Sequence, residues 1–197
     1  LLGQRATYFY IDGTRYWYDT QASVTRAAGD IADRLREHPE EVWVEIVRRL
    51  REHEGNARGD FAAVHVAPDS TADVPDTDAA KLVILPPQYP HRRNAANSAA
   101  MSFSDDLLER RGAAQRINRN TLVMLAPDDK RLDELSDAVR DYLAWNQIST
   151  RVEEMNLTAQ QAAQVDTRRR QADQTVNLRI PAAYIWAIAP VQPDPTA

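Results

Sequence analysis

The sequence of 197 residues contains no cysteine and only six glycines. Without cysteine the chain has no disulfide bond, no catalytic thiol and no zinc site that needs a cysteine ligand. The glycines are Gly3, Gly13, Gly29, Gly55, Gly59 and Gly112. None of them stands in the pattern GxxxxGK[ST] or GxGxxG, whose backbone amides bind nucleotide phosphates. The sequence therefore predicts no nucleotide or other cofactor bound by this chain itself.

Lysine is scarce as well, because Lys81 and Lys130 are the only two and arginine supplies the remaining basic side chains. The net charge is −5. A chain that is acidic overall is not built to coat DNA or an anionic membrane, although a local basic patch remains compatible with it. No apolar run approaches the roughly 18 residues of a membrane-spanning helix, and no signal peptide is evident. We expect a cytoplasmic protein without a membrane partner.

Catalytic motifs are also missing. No serine stands in a nucleophile elbow, and the metalloprotease pattern HExxH does not occur. Of the four histidines, His38 and His53 are predicted at helix ends, and His65 is predicted to be a hydrogen-bonded core residue in an apolar strand. His91, in PPQYPHRRN, is the one histidine that we consider a candidate site residue. We predict no catalytic residue.

What the sequence does contain is an aromatic hairpin. Residues 8–19 read YFYIDGTRYWYD, in which Asp12-Gly13 joins two runs of alternating large side chains, a strong hairpin signal. A loop at Asp12-Gly13 would place Ile11 opposite Thr14. One face then carries Tyr8, Tyr10, Arg15 and Trp17. Aromatic and cationic side chains together are typical of a nucleic-acid platform, and packing against a neighbouring domain is the alternative.

The rest of the chain alternates between helix and strand patterns. Helical spacing of apolar residues predicts helices over 19–38, 40–55, 97–111, 129–145 and 158–176. Short apolar runs at 61–67, 81–86, 121–127 and 182–191 are typical of strands covered on both faces. The sequence therefore predicts an α/β fold with a mostly parallel central sheet of about four strands flanked by helices, preceded by a β-hairpin and a helical pair.

Composition suggests three segments. Residues 1–55 hold the hairpin and two helices. Residues 56–190 form the α/β core, and the proline-rich residues 191–197 form a linker. Because the chain begins with leucine and ends in APVQPDPTA, we expect it to be a domain of a larger protein.

Arginines occur in groups. His91-Arg92-Arg93 follows the second core strand, whereas Arg110, Arg111, Arg116 and Arg119 precede the third, and Arg168, Arg169 and Arg170 lie on the last helix. Parallel strands would place the first group at the carboxyl edge of the sheet and Arg116 and Arg119 nearer the opposite edge. Arginine suits bidentate phosphate recognition, and a solvated arginine-rich face is the alternative. His91, Arg92 and Arg93 are our candidates for binding nucleic acid or a partner.

Acidic residues suggest a second hypothesis. Asp69, Asp73, Asp76 and Asp78 follow the strand that holds His65. Carboxylates at strand ends can bind a divalent metal or act as a general base, so a metal-dependent hydrolase or nuclease that uses this loop with His65 or His91 is the alternative function. A solvated loop is the other interpretation. Likewise, TLVMLAPDD resembles a strand that ends in a magnesium ligand, but without a P-loop the sequence favours a buried strand followed by Asp128 or Asp129 as a helix N-cap.

Longer strings carry a family resemblance. RATYFYIDGTRYWYDTQASVTR, FAAVHVAPDSTADVPD, KLVILPP, RNTLVMLAPDDKRLDELSDAVRDYLAW and YIWAIAPVQPDP occur in this order. Together they resemble the large bacterial and archaeal ATPases that carry the domain of unknown function number 499. Those proteins lie in phage-defence gene neighbourhoods beside a DNA methyltransferase and a helicase. The resemblance spans nearly the whole chain.

The resemblance implies a function for the chain as part of a larger ATPase. The chain would lie downstream of an AAA-like module that holds the P-loop, ATP and magnesium. Its expected role is that of a non-catalytic accessory domain that couples the ATPase module to partner subunits or DNA. The implied partners are other domains of the parent ATPase, double-stranded DNA, and the methyltransferase or helicase encoded nearby. The resemblance assigns no functional residue in this region. It also implies a helix before Leu1, so that residues 1–55 would be a remnant of a winged helix with the hairpin as its wing.

Overall fold

The computed structural model describes residues 9–12, 14–18, 24–54 and 58–191. The strands are β1 (Phe9–Asp12), β2 (Arg15–Tyr18), β3 (Ala63–Val66), β4 (Lys81–Ile84), β5 (Arg110–Arg111), β6 (Ala114–Gln115), β7 (Leu122–Pro127) and β8 (Tyr184–Ile188). The helices are α1 (Val24–Arg36), α2 (Pro39–Glu52), α3 (Ala99–Glu109), α4 (Asp129–Ser149) and α5 (Ala159–Ala183). None of the helices within these ranges is both long enough and apolar enough to cross a membrane.

The chain divides into two compact units. One comprises Leu1–Val42 and Ser136–Leu178, and the other comprises Trp43–Leu135 and Arg179–Ala197. This division does not follow the predicted boundaries at residues 55 and 190. Since helices α2, α4 and α5 each cross from one unit to the other, the sequence offers no loop or linker that marks the boundary.

The hairpin of β1 and β2 forms with a different register from the predicted one. Asp12 pairs with Arg15 and Ile11 with Tyr16, so the connection is Gly13-Thr14 and the predicted pairing of Ile11 with Thr14 is wrong. The shift amounts to two residues on the partner strand, which is one full period of side-chain alternation. Tyr10 and Trp17 are direct partners and remain on the same face of the ribbon as predicted.

The first unit contains α1 together with parts of α4 and α5. Its core consists of Val24, Ala28, Ala144, Trp145, Ile148, Val165 and Ala172. The indole nitrogen of Trp145 donates to the Asp141 carboxylate at 3.0 Å. Burial raises the pKa of Asp141, and this hydrogen bond acts against the shift. The predicted amphipathic helix after the hairpin is thereby confirmed, and its apolar stripe provides Val24 and Ala28 to this core.

The second unit contains a four-stranded sheet in the order β3-β4-β7-β8. Strands β3, β4 and β7 are parallel, and β8 pairs with β7 in the antiparallel direction. The predicted fold class, an α/β fold with a mostly parallel sheet of four strands and flanking helices, is confirmed.

One face of this sheet packs against α3. Strand β7 alternates, with Leu122, Met124 and Ala126 buried in the core and Val123 and Leu125 half-buried on the opposite face. Val83 and Leu85 from the β4 segment, and Ala100 and Leu107 from α3, complete the same core. Runs of apolar residues without polar alternation thus form strands that are covered on both sides over much of their length.

Two elements depart from the prediction. Helix α5 continues through Pro181 to Ala183, so the last strand begins at Tyr184 rather than at 182. The short hairpin of β5 and β6 was not predicted. Gly112 in its turn has φ +59°, and its amide donates to Thr71 Oγ1 at 2.9 Å. Glycine suits this position because the positive φ disfavours other residues and a Cβ would meet the Ala72 methyl at 3.4 Å.

Candidate binding site at the carboxyl edge of the sheet

Three chain segments meet where the parallel strands β4 and β7 end. Residues 85–94 follow β4, Asp128 follows β7, and the start of β8 lies beside them because Tyr184 pairs with Pro127. The carboxyl edge of an open α/β sheet is where such folds place ligands. The structure therefore brings the predicted site residues His91, Arg92 and Arg93 to the edge where a ligand site is expected.

His91 is fixed by its backbone and by its ring. Its amide donates to the Pro127 carbonyl at 2.8 Å, and its carbonyl accepts from the Asp129 amide at 2.9 Å. The ring nitrogen Nδ1 lies 2.7 Å from Ser98 Oγ. The ring also meets Trp186 edge-on, with centroids 5.0 Å apart. His91 thus joins the loop after β4 to β7, α3 and β8, which is mainly a positioning role.

Asp128 is the N-cap of α4. Its Oδ1 accepts from the Arg131 amide at 3.1 Å, and its Oδ2 accepts from the indole nitrogen of Trp186 at 3.0 Å. This arrangement confirms the N-cap interpretation of the sequence TLVMLAPDD. Because both carboxylate oxygens already accept a hydrogen bond, Asp128 serves to hold the edge together.

Arg92 and Arg93 are both exposed, unlike His91, which is half-buried. Within the described residues, no carboxylate lies within ion-pair distance of either guanidinium, and neither makes a hydrogen bond. The next residue, Asn94, has φ +64°, and the Ala95 amide donates to the Arg92 carbonyl at 3.1 Å, which closes a turn. Two adjacent guanidinium groups therefore remain available to an anionic partner.

The loop that carries these arginines is held on both sides. Before them, the Tyr89 ring stacks on Phe103 with centroids 4.3 Å apart and planes 3° from parallel. The Pro90 carbonyl accepts from the Ala100 amide at 3.3 Å. After them, Ser98 caps α3 by accepting from the Met101 amide at 3.2 Å. A partner that binds Arg92 and Arg93 would thus cause little further loss of backbone conformational entropy.

At the opposite edge of the sheet, Arg116 has a structural role. Its side chain is 2% exposed. Its Nε donates to the Leu107 carbonyl at 2.6 Å, and its terminal nitrogens donate to the carbonyls of Val74 at 3.0 Å and Pro75 at 3.3 Å. Burial lowers the pKa of Arg116, and the nearby Asp76 carboxylate acts against the shift. Arg116 therefore satisfies buried carbonyl groups instead of offering a phosphate site.

Asp76, a residue of the alternative metal-site hypothesis, is engaged in the same region. Its carboxylate accepts from the amides of Ile117 at 2.7 Å and Asn118 at 2.9 Å, and from the Asn118 side chain at 3.0 Å. These bonds lower the pKa of Asp76 from 3.8 to about 2. The carboxylate thus fastens the segment before β7 to the loop after β3.

Two further acidic candidates, Asp69 and Asp73, lie beside His65, whereas Asp78 does not line this cleft. A cleft of about 230 Å³ is lined by Arg51, Glu54, His65, Asp69 and Asp73, among others. Asp73 closes a capping box with Ser70, whose amide donates to it at 2.8 Å. The His65 Nε2 atom is buried without a hydrogen-bond partner in the described structure, so the prediction of a hydrogen-bonded core histidine is wrong for this atom. Burial and the charges of Lys81 and Arg116 lower the pKa of His65, which favours the neutral ring.

Across the described ranges, no group of three histidine, aspartate or glutamate side chains has the geometry to hold a metal ion.

The remaining predicted site residues belong to the hairpin. Tyr8 lies outside the described residues, and for Tyr10, Arg15 and Trp17 the structure gives the backbone pairing only. On α5, Arg169 and Arg170 both pair with Asp166, so this arginine group is at least partly neutralised within its own helix.

Sequence reasoning missed Ser98 and Trp186 as members of the edge. Ser98 stands directly before a helical pattern, which is an N-cap signal that could have been read. The contact of Trp186 with His91 and Asp128 depends on β8 running antiparallel to β7, and no local pattern shows this direction.

Comparison with family models, curated proteins and solved structures gave no match to this chain. The resemblance to ATPases with the domain of unknown function number 499 therefore stays a prediction.

Proposed function

We propose that the chain is a non-catalytic accessory domain of a defence-associated AAA-like ATPase, and that it couples the ATPase module to partner subunits or DNA. The observation that carries this proposal is the exposed pair Arg92 and Arg93. Both guanidinium groups lack an anionic partner within the described structure, and both stand on a loop fixed to three neighbouring elements.

The polar residues around this pair support binding over chemistry. Both oxygens of Asp128 accept hydrogen bonds, and His91 Nδ1 contacts the helix-capping Ser98. These contacts hold the loop in place, which suits an edge that recognises an anionic group.

The chemistry of the partner follows from arginine geometry. Guanidinium groups bind carboxylate or phosphate oxygens in pairs. A patch of two arginines on a chain of net charge −5 favours a protein partner with acidic residues. Our first candidate for this partner is another domain of the parent ATPase. Double-stranded DNA is the second candidate, followed by the neighbouring methyltransferase or helicase. ATP and magnesium belong to the parent protein, which we place in the cytoplasm.

Fluorescence anisotropy with labelled duplex DNA, titrated across salt, separates the two classes of partner. If DNA is the partner, Arg92→Ala/Arg93→Ala should weaken binding tenfold or more and reduce the salt slope by about 2. Arg169→Ala/Arg170→Ala is the matched control, because it removes the same charge from two arginines that both form ion pairs with Asp166. Equal losses in both variants would contradict a site at Arg92 and Arg93. If the wild type binds no DNA, a protein is the remaining class of partner for Arg92 and Arg93.

The cleft beside His65 keeps a metal-dependent hydrolase as the second candidate, because it places Asp69 and Asp73 next to this histidine. Asp69→Ala is the suitable variant, since Asp73 is needed for the capping box. A thermal shift with magnesium or manganese that Asp69→Ala abolishes would support the hydrolase. Equal melting temperatures with and without these ions would exclude metal binding at this cleft.

A further inference from the structure

We infer that the cleft beside His65 binds a basic α-amino acid. Arg51 would bind the carboxylate of this ligand, and the acidic residues of the cleft would bind its two ammonium groups. This inference goes beyond the proposed function, because it involves neither Arg92 nor Arg93 and needs no metal ion.

The cleft lies where β3 ends. Val64, Ala67 and Pro68 in its lining are buried, whereas the charged side chains that come from the end of α2 and from the loop after β3 are exposed. The carboxyl ends of parallel strands are where open α/β sheets bind small ligands. The cleft volume of about 230 Å³ is below the roughly 300–1,000 Å³ of sites for drug-sized molecules, so a smaller ligand fits it better.

Opposite charges line this cleft without pairing. The side chains of Arg51, Glu54 and Asp69 are exposed, and none of the three forms a hydrogen bond or ion pair within the described residues. Elsewhere on α2 such neighbours do pair, since the Arg48 guanidinium lies 2.7 Å from the Glu45 carboxylate. A ligand that carries both signs of charge would bridge the side chains that the chain itself leaves unpaired.

The balance of charge favours a basic ligand. Against the one guanidinium of Arg51, the cleft contains the three carboxylates of Glu54, Asp69 and Asp73. The capping box with Ser70 uses only the Oδ2 atom of Asp73. A neutral amino acid offers these carboxylates one ammonium group, whereas lysine or ornithine offers two. Because a guanidinium binds a carboxylate through two parallel hydrogen bonds, Arg51 suits the carboxylate of the ligand.

His65 supplies a polar group that the protein leaves unsatisfied. Its Nε2 atom is buried and has no hydrogen-bond partner in the described structure. Native proteins rarely leave a buried polar atom without a partner, and a ligand in the cleft would provide one. Burial lowers the pKa of His65, although the nearby Glu54 carboxylate acts against the shift, so the neutral ring is favoured. A neutral ring protonated at Nδ1 accepts a hydrogen bond from an ammonium group at Nε2.

An NMR titration of the ¹⁵N-labelled whole chain with L-lysine, in buffer that contains EDTA, tests the inference. Amide signals of residues 64–69 should shift on addition of L-lysine. Since exposed ion pairs each contribute little, we expect a Kd of about 0.1–1 mM. No shift of these signals at about 10 mM L-lysine, well above the expected Kd, would overturn the inference.

Two compounds that each lack one group of L-lysine test how the ligand is recognised. Cadaverine has no carboxylate, and L-norleucine has no side-chain ammonium. Each should bind about fivefold more weakly than L-lysine, because one charged contact is lost. Arg51→Gln should abolish the preference for L-lysine over cadaverine. Equal binding of all three compounds by the wild type would contradict a basic amino acid as the ligand.

Charge variants locate the site of the ammonium groups. Asp69→Asn should weaken binding of L-lysine about threefold or more. Asp105→Asn is the matched control, because it removes the same charge from an exposed position on α3 and should leave binding unchanged. Equal effects of the two variants would contradict a site at the cleft.

His65→Leu separates a binding role from a structural one. The variant removes the unsatisfied Nε2 atom, so the melting temperature of the ligand-free chain should stay the same or rise while L-lysine binding weakens. A lower melting temperature with unchanged L-lysine binding would show that His65 serves the fold alone and would contradict its place in the site.

Discussion

Arg92 and Arg116 belong to arginine groups that look alike in the sequence, yet they lie at opposite edges of one sheet and have opposite roles. Arg116 is buried and donates to three backbone carbonyls, whereas Arg92 is exposed beside Arg93 without a partner in the described structure. At the amino edge of the sheet Arg116 is therefore buried and hydrogen-bonded, whereas at the carboxyl edge Arg92 and Arg93 are exposed to solvent. An arginine group alone therefore does not indicate a binding site, and the neighbouring carbonyl groups decide its role.

Removing the buried guanidinium of Arg116 should have the largest effect on the free energy of unfolding. Arg116→Met keeps much of the volume but leaves the carbonyls of Leu107, Val74 and Pro75 without their donor. Each unsatisfied buried carbonyl costs about 1–3 kcal/mol, so we expect the free energy of unfolding to fall by about 3 kcal/mol or more. Urea denaturation measures this loss. A decrease below about 1 kcal/mol would contradict the structural role of Arg116.

Replacing the Asp76 carboxylate should have a smaller effect on stability than Arg116→Met, and this effect should depend on pH. Its pKa is about 2 in the folded chain against an ordinary value of 3.8. A carboxyl group with a lowered folded pKa stabilises the protein above its unfolded pKa, and this stabilisation is lost as the pH falls through the folded pKa. Between pH 4 and pH 2, within the range that the two values 3.8 and about 2 define, wild-type melting temperature should fall more steeply than that of Asp76→Asn. Parallel curves would contradict the assignment.

The exposed pair should have the smallest effect on stability. Arg92→Ala/Arg93→Ala removes no side-chain hydrogen bond or ion pair within the described structure, so the free energy of unfolding should change by less than about 0.5 kcal/mol. Urea denaturation beside Arg116→Met makes the comparison direct. A large loss for the exposed pair would show that these arginines have structural partners, and the contrast between the two edges would then fail.

The strands of the sheet could be predicted from the sequence because LVI (82–84) and LVMLAP (122–127) are uninterrupted apolar runs, which are typical of strands covered on both faces. The antiparallel hairpin was predicted, and so was the placement of Tyr10 and Trp17 on one face. The register was not, because Asp12-Gly13 and Gly13-Thr14 can both form a two-residue loop. The roles of the arginines could not be predicted. Arg116 reaches the Val74 carbonyl, 42 residues earlier in the chain, only once β4 and β7 pair.

The candidate site shows the same limit. The position of His91, Arg92 and Arg93 after an apolar run predicts the carboxyl edge of the sheet, as found. Which side chains would be free there depends on the course of β8, since Trp186 engages both His91 and Asp128. The antiparallel direction of β8 follows from two long helices between β7 and β8 that return the chain to the sheet, and no local pattern in YIWAI encodes it.

The most direct test of the proposed coupling role is ATP hydrolysis by the larger ATPase of which we propose this chain is a domain, measured with and without duplex DNA and the methyltransferase or helicase that we propose as partners. We predict that a partner stimulates hydrolysis, that Arg92→Ala/Arg93→Ala abolishes most of the stimulation at an unchanged basal rate, and that Arg169→Ala/Arg170→Ala preserves it. Stimulation that survives in the Arg92→Ala/Arg93→Ala variant, or a full-length protein that hydrolyses no ATP, would contradict the proposed coupling role.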